Sequence, residues 1–306
     1  MSKLEYNYEK EEECNIKEYL KYQLKISGRF IRKSARNGRI KVNGNRVNLR
    51  YILNKGDHIE IDLDKNESQN VEPEKMELDI VYEDEDILVI NKNPGIIVHP
   101  TKSHPRGTLS NGILYYFEDK GENCIVRLVS RLDRDTSGLI IIAKNQFAHM
   151  ALARDMSKDT FKKFYLAIIH GKLTEKEGTI DLPIYRPEDS SLKRVVDQKG
   201  QRSITHYKVV EEFKDASLVE FLLETGRTHQ IRVHVEHLGH PIIGDSLYGN
   251  EDDTMYINRQ ALHAYKLVFP HPRTGEILEL SCDIPSDIKE SMEILKRERI
   301  IKRNPY

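Results

Sequence analysis

VSRLDRDTSGLIIIAKN, residues 129–145, is the densest chemistry in the chain. An apolar segment enters at Val129 and the run 139–143 leaves, both of strand character. Between them lie Arg131, Asp133, Arg134 and Asp135, then the turn formers Thr136, Ser137 and Gly138. A loop between two core strands is where a rigid scaffold presents reactive side chains. By spacing alone the same residues also fit a tight turn, with the aspartates accepting backbone hydrogen bonds and the arginines in surface ion pairs.

Outward from this loop, strands are expected at 87–91, 125–129, 139–143, 164–169, 207–210, 218–223, 265–269 and 277–281, and helices at 109–117, 146–156, 228–238 and 288–299. Hairpin-like neighbours mixed with helical excursions make an α+β order, not strict βαβ alternation. There is no Walker loop and no GxGxxG, so nothing supports a nucleotide cofactor.

The chain has 306 residues, 38% hydrophobic and 32% charged, enough for a sizeable core and too apolar for a disordered chain. Its apolar runs stay far below the ~20 residues of a membrane helix, and residues 1–13 carry no secretory h-region. Three widely spaced cysteines, Cys14, Cys124 and Cys282, make neither a CxxC pair nor a disulfide framework. The cytoplasm is the expected compartment.

Net charge is −1, but its distribution is uneven. Residues 14–63 hold 12 Lys and Arg against 4 acids, while residues 64–86 hold 10 acids against 2 lysines. We expect an acidic extension over 1–13, a basic module over 14–63, an acidic, flexible linker over 64–79 and a larger domain over 80–306. The module reads as helices at 16–23 and 28–37, the second capped by Ser27 and stopped by Gly38, then strands around the Asn43-Gly44 turn. Arg29, Arg32, Lys33 and Arg36 share one face of the second helix with no acid to pair them, which points to phosphate contacts.

SGRFIRKSARNGRIKVNGNRV followed by NKGDHIEI resembles the S-four type RNA-binding domain, which implies binding to structured RNA through those four residues. In the larger domain, RLDRDTSGL resembles the signature of the RluA/RluD-type RNA pseudouridine synthases. Five more blocks match in order: DILVINKNPGIIVHP, TLSNGILYY, KKFYLAIIHG, LLETGRTHQIRVHVEHLGHPIIGDSLYG and ALHAYKLVFPHPRTGE. Together they cover about two hundred residues. Ser130 stands where the family commonly has His, and the family's Lys-Pro-x-Gly turn is Lys92-Asn93-Pro94-Gly95 here.

The resemblance implies a mixed, largely antiparallel sheet and isomerisation of uridine in RNA to pseudouridine, with no cofactor and no metal. It makes Asp133 the essential carboxylate, attacking the ribose, attacking the ring or assisting elimination. Tyr165 becomes the residue that packs on uracil and takes the proton from carbon 5, and Arg131 the side chain that fills the RNA stack when the base flips out. Arg232 is the expected partner of Asp133. In a helix from Thr228, Ile231, Val235 and Leu238 form the apolar stripe, with Arg232 at its edge. His229, His234, His237 and His240 read as surface or RNA-proximal residues. The partner is RNA, ribosomal RNA first and tRNA second, and the protein is expected to be a monomer. A non-catalytic RNA-binding or ribosome-assembly factor is the competing reading, and the joint presence of Asp133, Tyr165 and Arg232 weighs against it.

Overall fold

The computed structural model describes residues 3–63, 69, 71–188, 192–249 and 252–301. Its main sheet runs in the order Glu177–Asp181, Ile204–Glu212, Ala216–Leu223, Lys162–His170, Leu262–Pro270, Ser137–Ala143, Ile87–Lys92, Ile80–Glu83. Ile277–Ser281 pairs with Leu262–Pro270, and Arg127–Leu128 with Ser137–Ala143, off this path. All these pairings are antiparallel except one. Ser137–Ala143 runs parallel to Leu262–Pro270 and meets it only through Ser137 opposite His263 and Gly138 opposite Ala264. The expected mixed, largely antiparallel sheet is thus two antiparallel halves joined at a short seam.

Gly138 makes the seam possible. Its φ is +111°, and a Cβ there would lie 2.2 Å from the Ala264 carbonyl oxygen. No other residue tolerates both the conformation and the approach.

The run LIIIA at 139–143 is continuous because both sheet faces are covered. Leu139, Ile141 and Ala143 pack with Ala148 and Leu152 of the helix Gln146–Asp155. Ile140 and Ile142 pack with Ile113 and Phe117 of the helix Leu109–Asp119. On the other half, Ile168 and Phe221 pack against Ile231 and Val235 of the helix Gln230–His237 and Ile288 and Leu295 of the helix Ser286–Ile301.

The front module corrects the expected boundary at residue 14. Lys3–Asn7, placed by sequence in an acidic extension, pairs antiparallel with His58–Asp62 and completes a sheet with Ile40–Val42 and Asn45–Arg46. Leu4 and Tyr8 are buried in the same core as Phe30 and Ile31 of the helix Gly28–Arg36. Ser27 caps that helix, and Asn43 and Gly44 both have positive φ in a two-residue hairpin turn. Phe147 from the larger domain joins this core, and Arg273 Nη1 donates to the Lys3 carbonyl at 2.5 Å.

The flexible linker is corrected as well. Residues 64–68 and 70 lie outside the described residues. From Val71 to Asp79 the chain is a strap: Val71, Met76 and Leu78 pack on the Ile113–Phe117 cluster, Glu74 Oε2 accepts from Gly107 N at 2.7 Å, and Asn111 Nδ2 donates to the Glu72 carbonyl at 2.7 Å. Its acids lie outward while its few apolar side chains dock.

Candidate active site

The loop 129–136 crosses the end of the seam. Thr136 N–H bonds the Asp133 carbonyl at 3.2 Å, and Thr136 Oγ1 accepts from Gln260 Nε2 at 3.2 Å. Beneath it lies Lys92, only 1% exposed, whose Nζ donates to the carbonyls of Asn93 (2.8 Å), Ile96 (3.1 Å) and Arg134 (2.8 Å). Three acceptors match the three ammonium protons, so Lys92 straps the 93–96 turn to the loop 129–136. Burial pulls its pKa down to about 7. The carbonyls oppose that pull, because only the protonated form satisfies all three.

Asp133 and Arg232, 99 residues apart in the chain, meet here: Arg232 Nη1 donates to Asp133 Oδ2 at 3.0 Å. The other edge of the guanidinium is held bidentately by Asp245, Nε to Oδ2 at 2.7 Å and Nη2 to Oδ1 at 2.8 Å. Asp245 Oδ1 also accepts from Leu247 N and Tyr248 N. Burial opposes the charge on Arg232, but the bonds and charge of Asp245, then of Asp133, outweigh it and raise its pKa. Asp245 therefore neutralises Arg232, and Arg232 orients a second carboxylate that stays partly open to solvent, with 26% side-chain exposure.

The helix carrying Arg232 begins two residues later than expected. His229 precedes it in the left-handed region at φ 58°. The loop before it is pinned by Gln230, whose Oε1 accepts from Thr225 Oγ1 and Arg227 N, and whose Nε2 donates to the Ile204 carbonyl and Thr205 Oγ1. This turns His229 inward, with Nε2 3.8 Å from Asp133 Oδ1 and Nδ1 2.9 Å from the Tyr248 hydroxyl. Burial lowers the His229 pKa, so the neutral ring is favoured. Tyr248 lies under the Arg232 guanidinium, 5.0 Å from ring centroid to Cζ.

Two expectations about this helix are corrected. Leu238 is 40% exposed and caps the helix, so the apolar stripe ends at Val235. His234 is fully buried, with Nδ1 2.9 Å from Thr205 Oγ1 and Nε2 3.0 Å from the Leu182 carbonyl, so it is a core clamp and not a surface residue.

Tyr165 approaches from the other half of the sheet. Tyr165 keeps regular register with Phe221 on one side, while on the other it stands opposite a β-bulge of Leu262–Pro270, where Ala264 and Tyr265 face it as an extra residue. Burial, and then the Asp133 charge, raise its pKa, so the phenol is held protonated. Arg131, Leu132, Asp133, Tyr165, His229 and Arg232 border a small chamber of about 60 Å³. It shares Arg131, Leu132, Asp133 and Tyr165 with a cleft of about 720 Å³ walled by residues 97–101, 128–133 and 226–228 with Lys163. Arg131 is exposed at the junction of the two.

The structure thus gathers Asp133, Tyr165, Arg232 and Arg131 at one place. Arg29, Arg32, Lys33 and Arg36 are exposed together on the module's helix, and none of them lines the cleft. Sequence reasoning missed Lys92, Asp245, Tyr248 and the inward turn of His229. All four lie inside quoted motif blocks, which was the available signal.

Residues 86–237 match the family model described as RNA pseudouridylate synthase. A Bacillus subtilis (strain 168) protein named uncharacterized RNA pseudouridine synthase YlyB is 42% identical over 266 residues, covering 86% of this chain and 88% of its own length. The chain belongs to the RNA pseudouridylate synthase family. Its activity is the isomerisation of uridine in RNA to pseudouridine. Ribosomal large subunit pseudouridine synthase D of Pasteurella multocida (strain Pm70) is 39% identical over 272 residues, 85% of this chain and 84% of that one. Among solved structures, human RNA Pseudouridylate Synthase Domain Containing 1 aligns with a TM-score of 0.56 at 29% identity, covering 68% of this chain and 83% of that chain. In the synthase, the matched segment holds Asp133, Tyr165 and Arg232, whereas Asp245 and Tyr248 lie beyond it. No helix among the described residues is long and apolar enough to cross a membrane.

Proposed function

We propose that the synthase acts on a uridine in structured ribosomal RNA, as a cytoplasmic monomer, with Asp133 as its essential carboxylate. The observation that carries the catalytic part is the Asp133–Arg232–Asp245 arrangement at the junction of chamber and cleft. It supplies a carboxylate oriented by a permanent cation, with the Tyr165 ring beside it to stack on uracil. Arg131, exposed at the mouth, replaces the flipped base in the RNA stack, where a guanidinium plane recovers part of the few kcal/mol lost on extrusion. The ribosomal target is supported by the likeness to a ribosomal large subunit enzyme and by the basic front module. Tritium released from carbon-5-labelled uridine in ribosomal RNA tests the activity on that substrate. Mapping the pseudouridines lost on gene deletion assigns the site, and loss confined to tRNA would overturn the ribosomal reading.

Tyr165 serves in this reading as the acceptor of the carbon 5 proton. Because its phenol rests protonated, it takes that proton on its oxygen only as its own passes to a base, the role this reading gives to the Asp133 carboxylate, whose charge it feels. Tyr165→Phe keeps the stacking face and removes the hydroxyl. We expect product formation to fall by about 10²–10⁴-fold with RNA affinity near wild type. Near-normal turnover in this variant would leave Tyr165 a packing residue.

The front module is the RNA anchor in this reading. It packs on the larger domain through Phe147 and Arg273, so deleting it would expose apolar surface. Reversing the charges of Arg29, Arg32, Lys33 and Arg36, all exposed, avoids that. RNA affinity should drop, and the log–log salt slope should become shallower by about 0.7–0.9 per lost phosphate contact. An unchanged slope would mean that the face is merely solvated.

A further inference from the structure

The described residues contain three lysines buried to 6% exposure or less: Lys92, Lys144 and Lys163. Two are saturated. Lys92 donates to three carbonyls, and Lys144 is held by Glu83 and Glu122 at 2.8 and 2.9 Å. Lys163 is different. Among the described residues its ammonium has no acidic partner and no hydrogen bond, and burial alone acts on its pKa, lowering it. Its stem is buried while the ammonium reaches the open cleft, so within the described residues the charge is unpaired and can meet a ligand from outside the chain.

Its position says what that is. Lys163 stands two residues before Tyr165 on one strand, so both side chains leave the same face of the sheet. Both line the wide cleft, but only Tyr165 borders the small chamber with Asp133 and Arg232. Lys163 instead faces Gly226, where a Cβ would lie in ordinary contact with Nζ at 3.4 Å. Arg227 and Thr228 continue that wall, and no acid lines the cleft except Asp133 itself.

The geometry points to Lys163 as the seat of a backbone phosphate of the RNA strand that delivers the target uridine. This rests on the reading of the cleft as the uridine site. The ligand is an anion because the ammonium faces the cleft with no acid bonded to it among the described residues. It is the phosphodiester and not the uracil because the ammonium stands outside the chamber where the base reacts. Lys163 thus positions the nucleotide and takes no part in bond exchange.

Lys163→Met keeps the alkyl stem and removes the charge, and Lys163→Arg restores a cation. Single-turnover assays on a ribosomal RNA transcript would give affinity and saturating rate separately. Lys163→Met should weaken RNA affinity by at least about 10-fold and flatten the salt slope by about 0.7–0.9, so that the loss falls on affinity rather than on the saturating rate. Lys163→Arg should recover part of the affinity. Thermal melting of the free protein supplies a readout that a packing role would not give. Because the ammonium makes no bond among the described residues and Met keeps the contacts of the stem, the melting temperature of Lys163→Met should be equal to or above wild type. A neutral methylphosphonate linkage beside the target uridine should weaken wild type and leave Lys163→Met unaffected. Unchanged affinity and slope, or a fall in saturating rate at constant affinity, would overturn the proposal. If wild type forms no pseudouridine in any RNA offered, the reading of the cleft fails separately, and the affinity and melting comparison still decides for or against Lys163.

Discussion

Asp133→Asn is expected to lower pseudouridine formation by at least about 10⁴-fold while leaving fold and RNA affinity nearly intact. The amide is isosteric and can still accept a bond from Arg232 Nη1. It cannot act as a nucleophile or proton acceptor, and it presents no charge to the flipped nucleotide. Because Asp133 is partly exposed, with 26% of its side chain accessible, stability should change little. Quantifying product by mass spectrometry after single turnover, alongside a binding assay, separates the two effects. Substantial product would sink the assignment of Asp133.

Asp245→Asn should produce the opposite pattern, a large loss of stability together with a loss of rate. The Asp245 side chain is fully buried and Arg232 is nearly so. Removing one member of such a pair costs about 3–5 kcal/mol, because the other charge stays buried and uncompensated. In a chain of this size that corresponds to a melting temperature lower by roughly 5–8 °C. Arg232 would then have Asp133 as its sole carboxylate, and its side chain would lose the bidentate grip that fixes its plane. Turnover should fall as well, by about 100-fold at temperatures where the variant is folded. A variant that melts like wild type would show that Asp133 alone suffices to hold Arg232.

The sequence was most legible where burial is complete. Residues 139–143 read as a strand because both sheet faces are covered and the apolar run is unbroken, and 218–223 because only Glu220 interrupts its apolar run. Glu177–Asp181 went unread because an edge strand of composition EGTID carries little apolar signal. Lys3–Asn7 was hidden in the same way, its Leu4 set among charged and polar residues. The strap after Val71 looked like a tether because EPEKME is mostly charge, while its docking depends on three apolar side chains.

In the site, the resemblance located Asp133, Tyr165 and Arg232, but it did not say what keeps Arg232 charged or the loop in place. Asp245 is an aspartate in a loop, and such a residue has many fates. Only the return of the chain from Arg232 across 13 residues makes it a counter-ion. Lys92 was read as part of a turn, and its three carbonyl partners become visible only when residue 134 is brought beside it from 42 residues away.

The seam also sets an order of assembly during synthesis. The front module's sheet is complete once residue 62 has emerged, since Lys3–Asn7 closes against His58–Asp62. The seam waits for Ala264, which must pair with Gly138, and the hold on the front module waits for Arg273, which reaches back 270 residues to Lys3. Domains fold as units from the N-terminus during translation. The chain therefore carries a finished basic face for most of its time on the ribosome, while the cleft beside Asp133 closes only as the last sheet strands arrive.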